Sequence, residues 1–289
     1  MQFSMLAMNL LRGRIEAADH VVTGTWGEKA EREAAREGRV REVRSGKAQG
    51  FVRVPSDDEL SDVLDAKAAY VHITANETIE GIEFPHTPAV PDGVPLVCDA
   101  SSDFLSRPVD LSPYGVLYAG AQKNAGPAGV TVVIVRDDML ARIPDDLPTM
   151  LDYRTYATSG SMHNTPPVFA IYVHMLVTRW LRDEVGGLAA QLATNRRKAA
   201  MIYDAIDGSG GFYRSHAEHG SRSLMNVTFR LPDEELERRF VTEAAARGLA
   251  ELKGHRSLGG IRASLYNAMP VEGAQALAEF MENFVGSTG

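Results

Sequence analysis

Apolar residues fall into short unbroken runs separated by longer stretches in which they recur at helical spacing. Val94-Pro95-Leu96-Val97-Cys98-Asp99, Gly115-Val116-Leu117-Tyr118-Ala119-Gly120 and Val130-Thr131-Val132-Val133-Ile134-Val135 are three such runs. None alternates cleanly with polar residues, the pattern of strands covered on both faces. His20 to Gly24 reads as a strand leading into a turn, Val40 to Val43 as a short strand, and the β-branched stretch Tyr70 to Thr74 as another. Between them, Met1 to Arg12 reads as a short apolar helix. Trp26 to Arg36 is a second helix of Glu, Lys, Ala and Arg, with Gly38 placed to cap its end. Ser56-Asp57-Asp58-Glu59 forms a capping box ahead of an apolar run. The alternation predicts an α/β sheet.

Further along, Pro166 to Arg182 and Leu188 to Ile206 read as two long helices separated by Gly186-Gly187, the second carrying Asn195-Arg196-Arg197-Lys198 on its solvent side. Beyond Gly211 the pattern changes to a strand (Leu224 to Leu231), a helix (Pro232 to Arg247, closed by Gly248), a loop with a short strand, and a final helix from Pro270 to Phe284. The expected organisation is a large α/β domain over 1–185, a linking helix over 186–209 and a small α+β domain over 210–289. A chain of 289 residues suits one large and one smaller domain.

Composition narrows the class. With 44% hydrophobic and 24% charged residues the chain is expected to fold. The net charge of −8 and the dispersed arginines give a nucleic-acid partner no electrostatic support. One cysteine, Cys98, excludes an internal disulfide and fits a reducing compartment. Met1-Gln2-Phe3-Ser4-Met5-Leu6 lacks the marks of a signal peptide, and no stretch is long and apolar enough for a membrane span. A cytoplasmic protein is expected.

The strongest local signal is Tyr118-Ala119-Gly120-Ala121-Gln122-Lys123-Asn124-Ala125-Gly126-Pro127-Ala128-Gly129, a lysine between two apolar strands in a turn of small residues. Small neighbours let a flat cofactor approach, and partial burial lowers an amine's pKa toward the range of imine chemistry. Alone, a solvated turn lysine is the commoner explanation of the pattern. Asp99 adds weight, because a carboxylate ending a buried strand needs a positive partner, and a protonated pyridine nitrogen is one. A turn or cap aspartate is the plainer reading. Trp26 follows a strand and Gly24, where an indole can lie on a ring or simply pack in the core. Asn164-Thr165-Pro166-Pro167 opens a long helix, so Asn164 and Thr165 either cap it or offer donors to a phosphate. His255-Arg256 and Arg262, spread over a glycine-rich loop, look like anion-binding groups. No glycine fingerprint of a dinucleotide-binding fold is present.

Asn76-Glu77-Thr78-Ile79-Glu80-Gly81, the stretch from Asp99 to Leu105-Ser106-Arg107-Pro108-Val109-Asp110, the lysine segment, Asn164-Thr165-Pro166-Pro167 and Gly254-His255-Arg256 through Ala268-Met269-Pro270 together resemble the phosphoserine aminotransferase family. Gly120-Ala121-Gln122-Lys123-Asn124 and Arg262-Ala263-Ser264-Leu265-Tyr266-Asn267-Ala268-Met269-Pro270 are the most specific segments. The resemblance implies a fold-type I pyridoxal-phosphate enzyme with a mainly parallel, seven-stranded type of sheet. It implies a homodimer with shared active sites that converts glutamate and 3-phosphohydroxypyruvate to phosphoserine and 2-oxoglutarate, and that also takes the phosphorylated four-carbon analogue of pyridoxine biosynthesis.

By the same resemblance Lys123 forms the Schiff base and moves the proton at the substrate α-carbon, Asp99 keeps the pyridine nitrogen protonated, Trp26 stacks on the ring and Thr78 contacts its hydroxyl side. Gln122 helps hold the cofactor phosphate, and Asn164 and Thr165 reach the phosphate in the partner subunit. His255 and Arg256 bind the substrate's phosphate or side-chain carboxylate across the dimer, and Arg262 its α-carboxylate. The family also carries an N-terminal arm and a glycine-rich phosphate-binding turn ahead of the residues matched by Gln2-Phe3. Lacking these, the chain is expected to have an incomplete phosphate cup, lower stability, an unanchored first helix, and exposed Phe3, Leu6 and Leu10. The rival reading is a non-catalytic dimerisation partner that keeps only the fold. A desulfurase needs a mobile nucleophilic cysteine, and Cys98 lies inside an apolar strand.

Overall fold

The computed structural model describes residues 1–287. Nine helices and eleven strands run in the order α1 (Gln2–Leu10), β1 (Ala18–Val22), α2 (Thr25–Ala34), β2 (Val40–Ser45), α3 (Asp57–Ser61), β3 (Val71–Thr74), β4 (Asn76–Glu77), β5 (Ile82–Glu83), β6 (Leu96–Asp99), β7 (Tyr114–Gly120), β8 (Thr131–Val135), α4 (Asp137–Leu140), α5 (Tyr153–Thr158), α6 (Val168–Asp183), α7 (Leu188–Asp207), β9 (Arg214–Ser215), β10 (Asn226–Arg230), α8 (Glu234–Ala246), β11 (Ile261–Ser264) and α9 (Val271–Gly286) among the described residues.

The main sheet has the order β2-β1-β3-β6-β7-β8. Its first five strands are parallel, and β8 returns antiparallel to β7. Six strands are present among the described residues where the resemblance implies seven. β3 and β6 are buried along their whole length, which is why β6 is apolar without alternation, while β3 carries His72 and Thr74 into the interior. One consequence governs the rest of the molecule. Parallel strands put their carboxyl ends on one edge, so the residues after β1, β3, β6 and β7 converge there.

Two apolar layers cover the sheet. Met5, Leu6, Leu10, Leu11, Tyr70 and Tyr118 belong to one, and Val21, Ile73, Cys98 and Leu117 to the other. A third core lies between the three-stranded antiparallel sheet β11-β10-β9 and α7, α8 and α9, where Phe240 meets Phe229, Phe280 and Phe284 edge-on. The capping box at Ser56 and Glu59 forms as the sequence predicts.

Several expectations need correction. Leu6 and Leu10 are fully buried, not exposed, because α1 packs along α2 and the sheet. The helix is anchored too: Asn9 Nδ2 donates to Leu151 O at 2.6 Å, and Asn9 Oδ1 accepts Tyr153 N–H at 2.9 Å. Phe3 is partly covered by Trp26 and Tyr118. Gly38 is no left-handed cap; a Cβ there would stand 2.6 Å from Leu11 Cγ, so the glycine serves close approach. In the quartet assigned to the wet side of α7, Asn195 and Lys198 are completely buried.

Burial has also placed two imidazoles side by side. His20 and His72 face each other across β1 and β3 with ring centroids 4.9 Å apart. His72 Nε2 lies 3.0 Å from the Tyr118 hydroxyl, whereas both ring nitrogens of His20 are buried without a hydrogen-bond partner. Burial lowers both pKa values, that of His72 to about 3. The unfolded chain takes up these protons near the ordinary histidine value of about 6.5, so stability falls as pH drops below that point. His20→Leu removes two unsatisfied nitrogens at similar volume and is expected to raise stability at pH 7 by about 1 kcal/mol. It should also flatten the acid limb of a Tm-versus-pH curve; a lower Tm at neutral pH would contradict this account.

Candidate active site

Lys123 stands in the turn that joins β7 to β8. Gly120, Ala121 and Ala125 keep the turn slim, and Asn124 ties it down from both ends of its amide. Asn124 Nδ2 donates to Phe104 O at 2.7 Å, and its Oδ1 accepts the Asn267 N–H at 2.8 Å. On the other side His174 Nδ1–H donates to Ala125 O at 2.8 Å. The lysine thus extends from a fixed backbone. Its Nζ donates to Thr78 Oγ1 at 2.7 Å and lies 5.1 Å from the centre of the Trp26 ring. Burial lowers its pKa, with Arg262 adding to the effect and Asp99 and Glu77 opposing it.

Asp99 ends β6, next to the end of β3, and is buried. It accepts the Ser101 N–H at 2.9 Å, and no ion-pair partner reaches it among the described residues. Burial raises its pKa, and Lys123 is the cation that offsets this. A buried carboxylate left in that state marks a place for a positive group supplied from outside the chain.

Trp26 sits in the first turn of α2, just past the end of β1. The helix start is held by two carboxyls from the segment after β3. Glu77 accepts the N–H groups of Trp26 at 3.0 Å and Gly27 at 2.8 Å, and Glu80 accepts that of Thr25 at 3.0 Å. Trp26 Nε1 is buried without a partner.

From the small antiparallel sheet, Arg262 on β11 brings a positive charge to the same place. Its Nε is buried and unpartnered. Tyr266 follows, with its hydroxyl accepting from Asn226 Nδ2 at 3.4 Å. Lys123, Asp99, Trp26, Thr78 and Arg262 are therefore brought together.

The other candidates lie elsewhere in the single chain. Gln122 is exposed, with its amide folded back over Gly120. Asn164 and Thr165 are exposed ahead of α6 and do not cap it: Pro167 is the N-cap, and no side-chain cap bond forms. They border an apolar face, since Val168, Phe169, Ile171, Tyr172 and Leu176 of α6 all face outward. His255 lies 2.7 Å from Ser257 Oγ, and Arg256 is exposed on the same turn.

Sequence reasoning gave no role to Glu77, Tyr266 or Asn267. Glu77 and Tyr266 sit inside recognised segments, but what each contacts depends on how distant strands meet. The residues also fit pyridoxal phosphate: a lone buried carboxylate, a desolvated amine, an indole face and an unpaired guanidinium are what a pyridinium ring with an aldehyde and an anionic substrate require. A separate cleft of about 470 Å³, lined by Glu83, His86, Arg107, Arg196 and Arg222, does not include Lys123. Arg107 is committed to the carbonyls of Phe84 and Pro85, and Arg222 to Asp207.

Comparison with known proteins places the chain in a family. The family model described as aminotransferase class-V matches residues 1–277. A phosphoserine aminotransferase of Geobacillus kaustophilus is 56% identical over 288 residues, covering 98% of this chain and 77% of the relative. The solved phosphoserine aminotransferase from Bacillus circulans subsp. alkalophilus superposes with a TM-score of 0.94 at 51% identity, covering 100% of this chain and 78% of that one. The pyridoxal-phosphate-bound phosphoserine aminotransferase from Trichomonas vaginalis superposes with a TM-score of 0.89 at 41% identity, covering 97% and 79%.

Proposed function

This chain belongs to the class-V aminotransferase family, and we infer from its site that it acts as a phosphoserine aminotransferase. The reaction transfers an amino group from L-glutamate to 3-phosphohydroxypyruvate, giving O-phospho-L-serine and 2-oxoglutarate, and the cofactor is pyridoxal 5'-phosphate. One observation carries the reading: the desolvated amine of Lys123 stands among Asp99, Trp26, Thr78 and Arg262 at the carboxyl edge of the sheet.

When bound, pyridoxal phosphate supplies an electron sink for the pair of electrons left when a proton departs the amino acid's α-carbon. The protein supplies the rest. Asp99 holds a positive charge against its buried carboxylate, Trp26 covers one face of the ring, and Thr78 fixes the lysine amine by the 2.7 Å hydrogen bond. Lys123 Nζ, freed from that bond, takes the proton from the substrate α-carbon and returns it on the acceptor. Its lowered pKa keeps more of it in the free-amine form than an ordinary lysine at the same pH. Arg262 offers its fork to the α-carboxylate. Gln122 serves the cofactor phosphate.

We assign Asn164, Thr165, His255 and Arg256 to the active site of a second copy, since all four lie away from Lys123 in this chain. The exposed apolar face of α6 beside Asn164 and Thr165 supports a homodimer with shared sites. Substrates that carry a phosphate and a carboxylate suit such a cluster of His and Arg groups, and the phosphorylated four-carbon analogue would use the same groups. Among the described residues no helix is long and apolar enough to cross a membrane. The single, buried Cys98, its pKa raised by burial, suits a reducing cytoplasm and no catalytic role.

Purified chain supplied with pyridoxal phosphate, glutamate and 3-phosphohydroxypyruvate should form 2-oxoglutarate, read with a coupled dehydrogenase. No product, together with light scattering showing a dimer that binds pyridoxal phosphate weakly or not at all, would instead favour the non-catalytic partner.

A further inference from the structure

We propose that Glu77 is a positioning residue that sets the Trp26 indole over the Lys123 side chain by holding the first turn of α2 from beneath. The proposal rests on the reading of Lys123 and Trp26 as cofactor contacts.

A helix leaves its first N–H groups without partners, and the N-cap side chain usually meets one of them. Here the N-cap is Gly24, which has no side chain. The acceptors come from the segment after β3. Glu77 takes the N–H groups of both Trp26 and Gly27, one on each oxygen, and Glu80 takes the N–H and the hydroxyl of Thr25. The first three N–H groups of α2 are thereby satisfied by two buried carboxyls.

The chain makes room for this on purpose-shaped ground. A Cβ at Gly24 would stand 2.5 Å from Glu77 Cδ, and one at Gly27 would stand 3.2 Å from Glu77 Oε1. Gly24 and Gly27 therefore form a cradle for a carboxyl group, with Thr25 and Trp26 between them. The next residue after Glu77 is Thr78, which holds Lys123 Nζ. Two neighbouring side chains thus fix the two groups that must face opposite parts of one flat ring: Glu77 the indole, through its backbone, and Thr78 the amine.

Such a carboxyl is costly to keep. Burial, and then the charge of Glu80, push Glu77 up to about 8, with Asp99 also raising it and Lys123 facing it from the β7–β8 turn. A buried acid that disfavours its own ionisation is poor stabilising material, so its retention points to placement. Glutamine is the discriminating replacement, because an amide accepts at one oxygen only and turns an NH2 group toward the other N–H.

The test uses the full chain with Trp180→Phe, leaving Trp26 as the remaining tryptophan of two. In the cofactor-free protein, Glu77→Gln is expected to raise the acrylamide quenching constant of Trp26 at least about two-fold. In the loaded enzyme it should lower kcat about ten-fold or more while KM for glutamate moves less than two-fold, since misplacement acts on the reacting geometry and not on substrate capture. A folded variant with unchanged quenching and unchanged kcat overturns the proposal. If Glu77→Gln fails to fold, amide exchange on the unmutated chain decides: slow exchange at Trp26 and Gly27 supports it, and exchange at the rate of free first-turn amides overturns it. Absence of a Lys123-dependent absorbance band with pyridoxal phosphate in unmutated protein would sink the cofactor reading itself, and with it the functional half of this proposal; the quenching and exchange results would then report only on the helix start.

Discussion

Lys123→Ala should lower transamination by at least about 10³-fold, because in the function proposed one side chain supplies both the nucleophile that binds the cofactor and the base that moves the α-proton, and general-base catalysis alone contributes about 10²–10⁴-fold. The protein should stay folded. The amine makes one hydrogen bond, to Thr78, and its burial disfavours the charged form. Loss of activity with an unchanged or slightly higher Tm is therefore the expected pair of results. Retention of a tenth of the activity would remove Lys123 from the chemistry.

The pH dependence follows from the same burial. Lys123 is depressed below the ordinary lysine value of about 10.4, so the free amine appears at lower pH than in a solvated lysine. The rate at which unliganded protein captures pyridoxal phosphate should rise with pH and level off below that value. The linkage sign is equally definite. The unfolded chain binds the extra proton between the folded pKa and the ordinary one, so wild-type stability relative to Lys123→Ala should increase as pH rises through that window. A capture midpoint at or above the ordinary lysine value would contradict the desolvated setting.

How much of this was legible in the chain depends on the range of each interaction. Lys123 and Asp99 were readable because each ends or follows an apolar strand, so residue type and local setting coincide. The sheet was readable for the same reason, as were α6 and α7. Glu77 was not, since its meaning lies in a helix start some fifty residues earlier. Gln122 rests on resemblance alone, whereas Asn164, Thr165, His255 and Arg256 offered donors at a helix start or in a glycine-rich loop without saying for which site. In one chain Asn164, Thr165 and Arg256 are exposed and His255 is half-buried, and we propose that a second copy gives these four their ligands. The polar quartet of α7 shows the limit most clearly. Asn195-Arg196-Arg197-Lys198 has the composition of a wet face, yet helical spacing splits it: Arg196 and Arg197 point outward while Asn195 and Lys198 turn in among partners from two other segments.

Those partners make Asn195 the site of the second large effect. Its Nδ2 donates to Ser106 O at 3.1 Å and to Asn267 Oδ1 at 2.9 Å, and its Oδ1 accepts from Gln191 Nε2 at 2.9 Å. Asn267 continues the chain of amides, donating through Nδ2 to Leu105 O at 2.8 Å and through its backbone to Asn124 Oδ1. Lys198, one turn further along α7, donates to the carbonyls of Leu265, Tyr266 and Met269 at 2.8, 2.8 and 3.0 Å, fixing the same turn from its other side. The segment that carries Tyr266 is thus joined to the residue after Lys123 by uncharged, buried amides. Asn195→Leu keeps similar volume and orphans three buried groups at about 1–3 kcal/mol each, so a loss of about 3–5 kcal/mol is expected from urea unfolding. No relief of charge burial offsets it, as it would at Lys198, where burial pulls the ammonium down to about 8. At temperatures where Asn195→Leu remains folded, kcat should fall as well, because the turn beside Lys123 loses one end of its tether. A loss below about 1 kcal/mol would mean that water or a neighbouring rotamer replaces the amide, and that the polar chain merely fills space between the two cores.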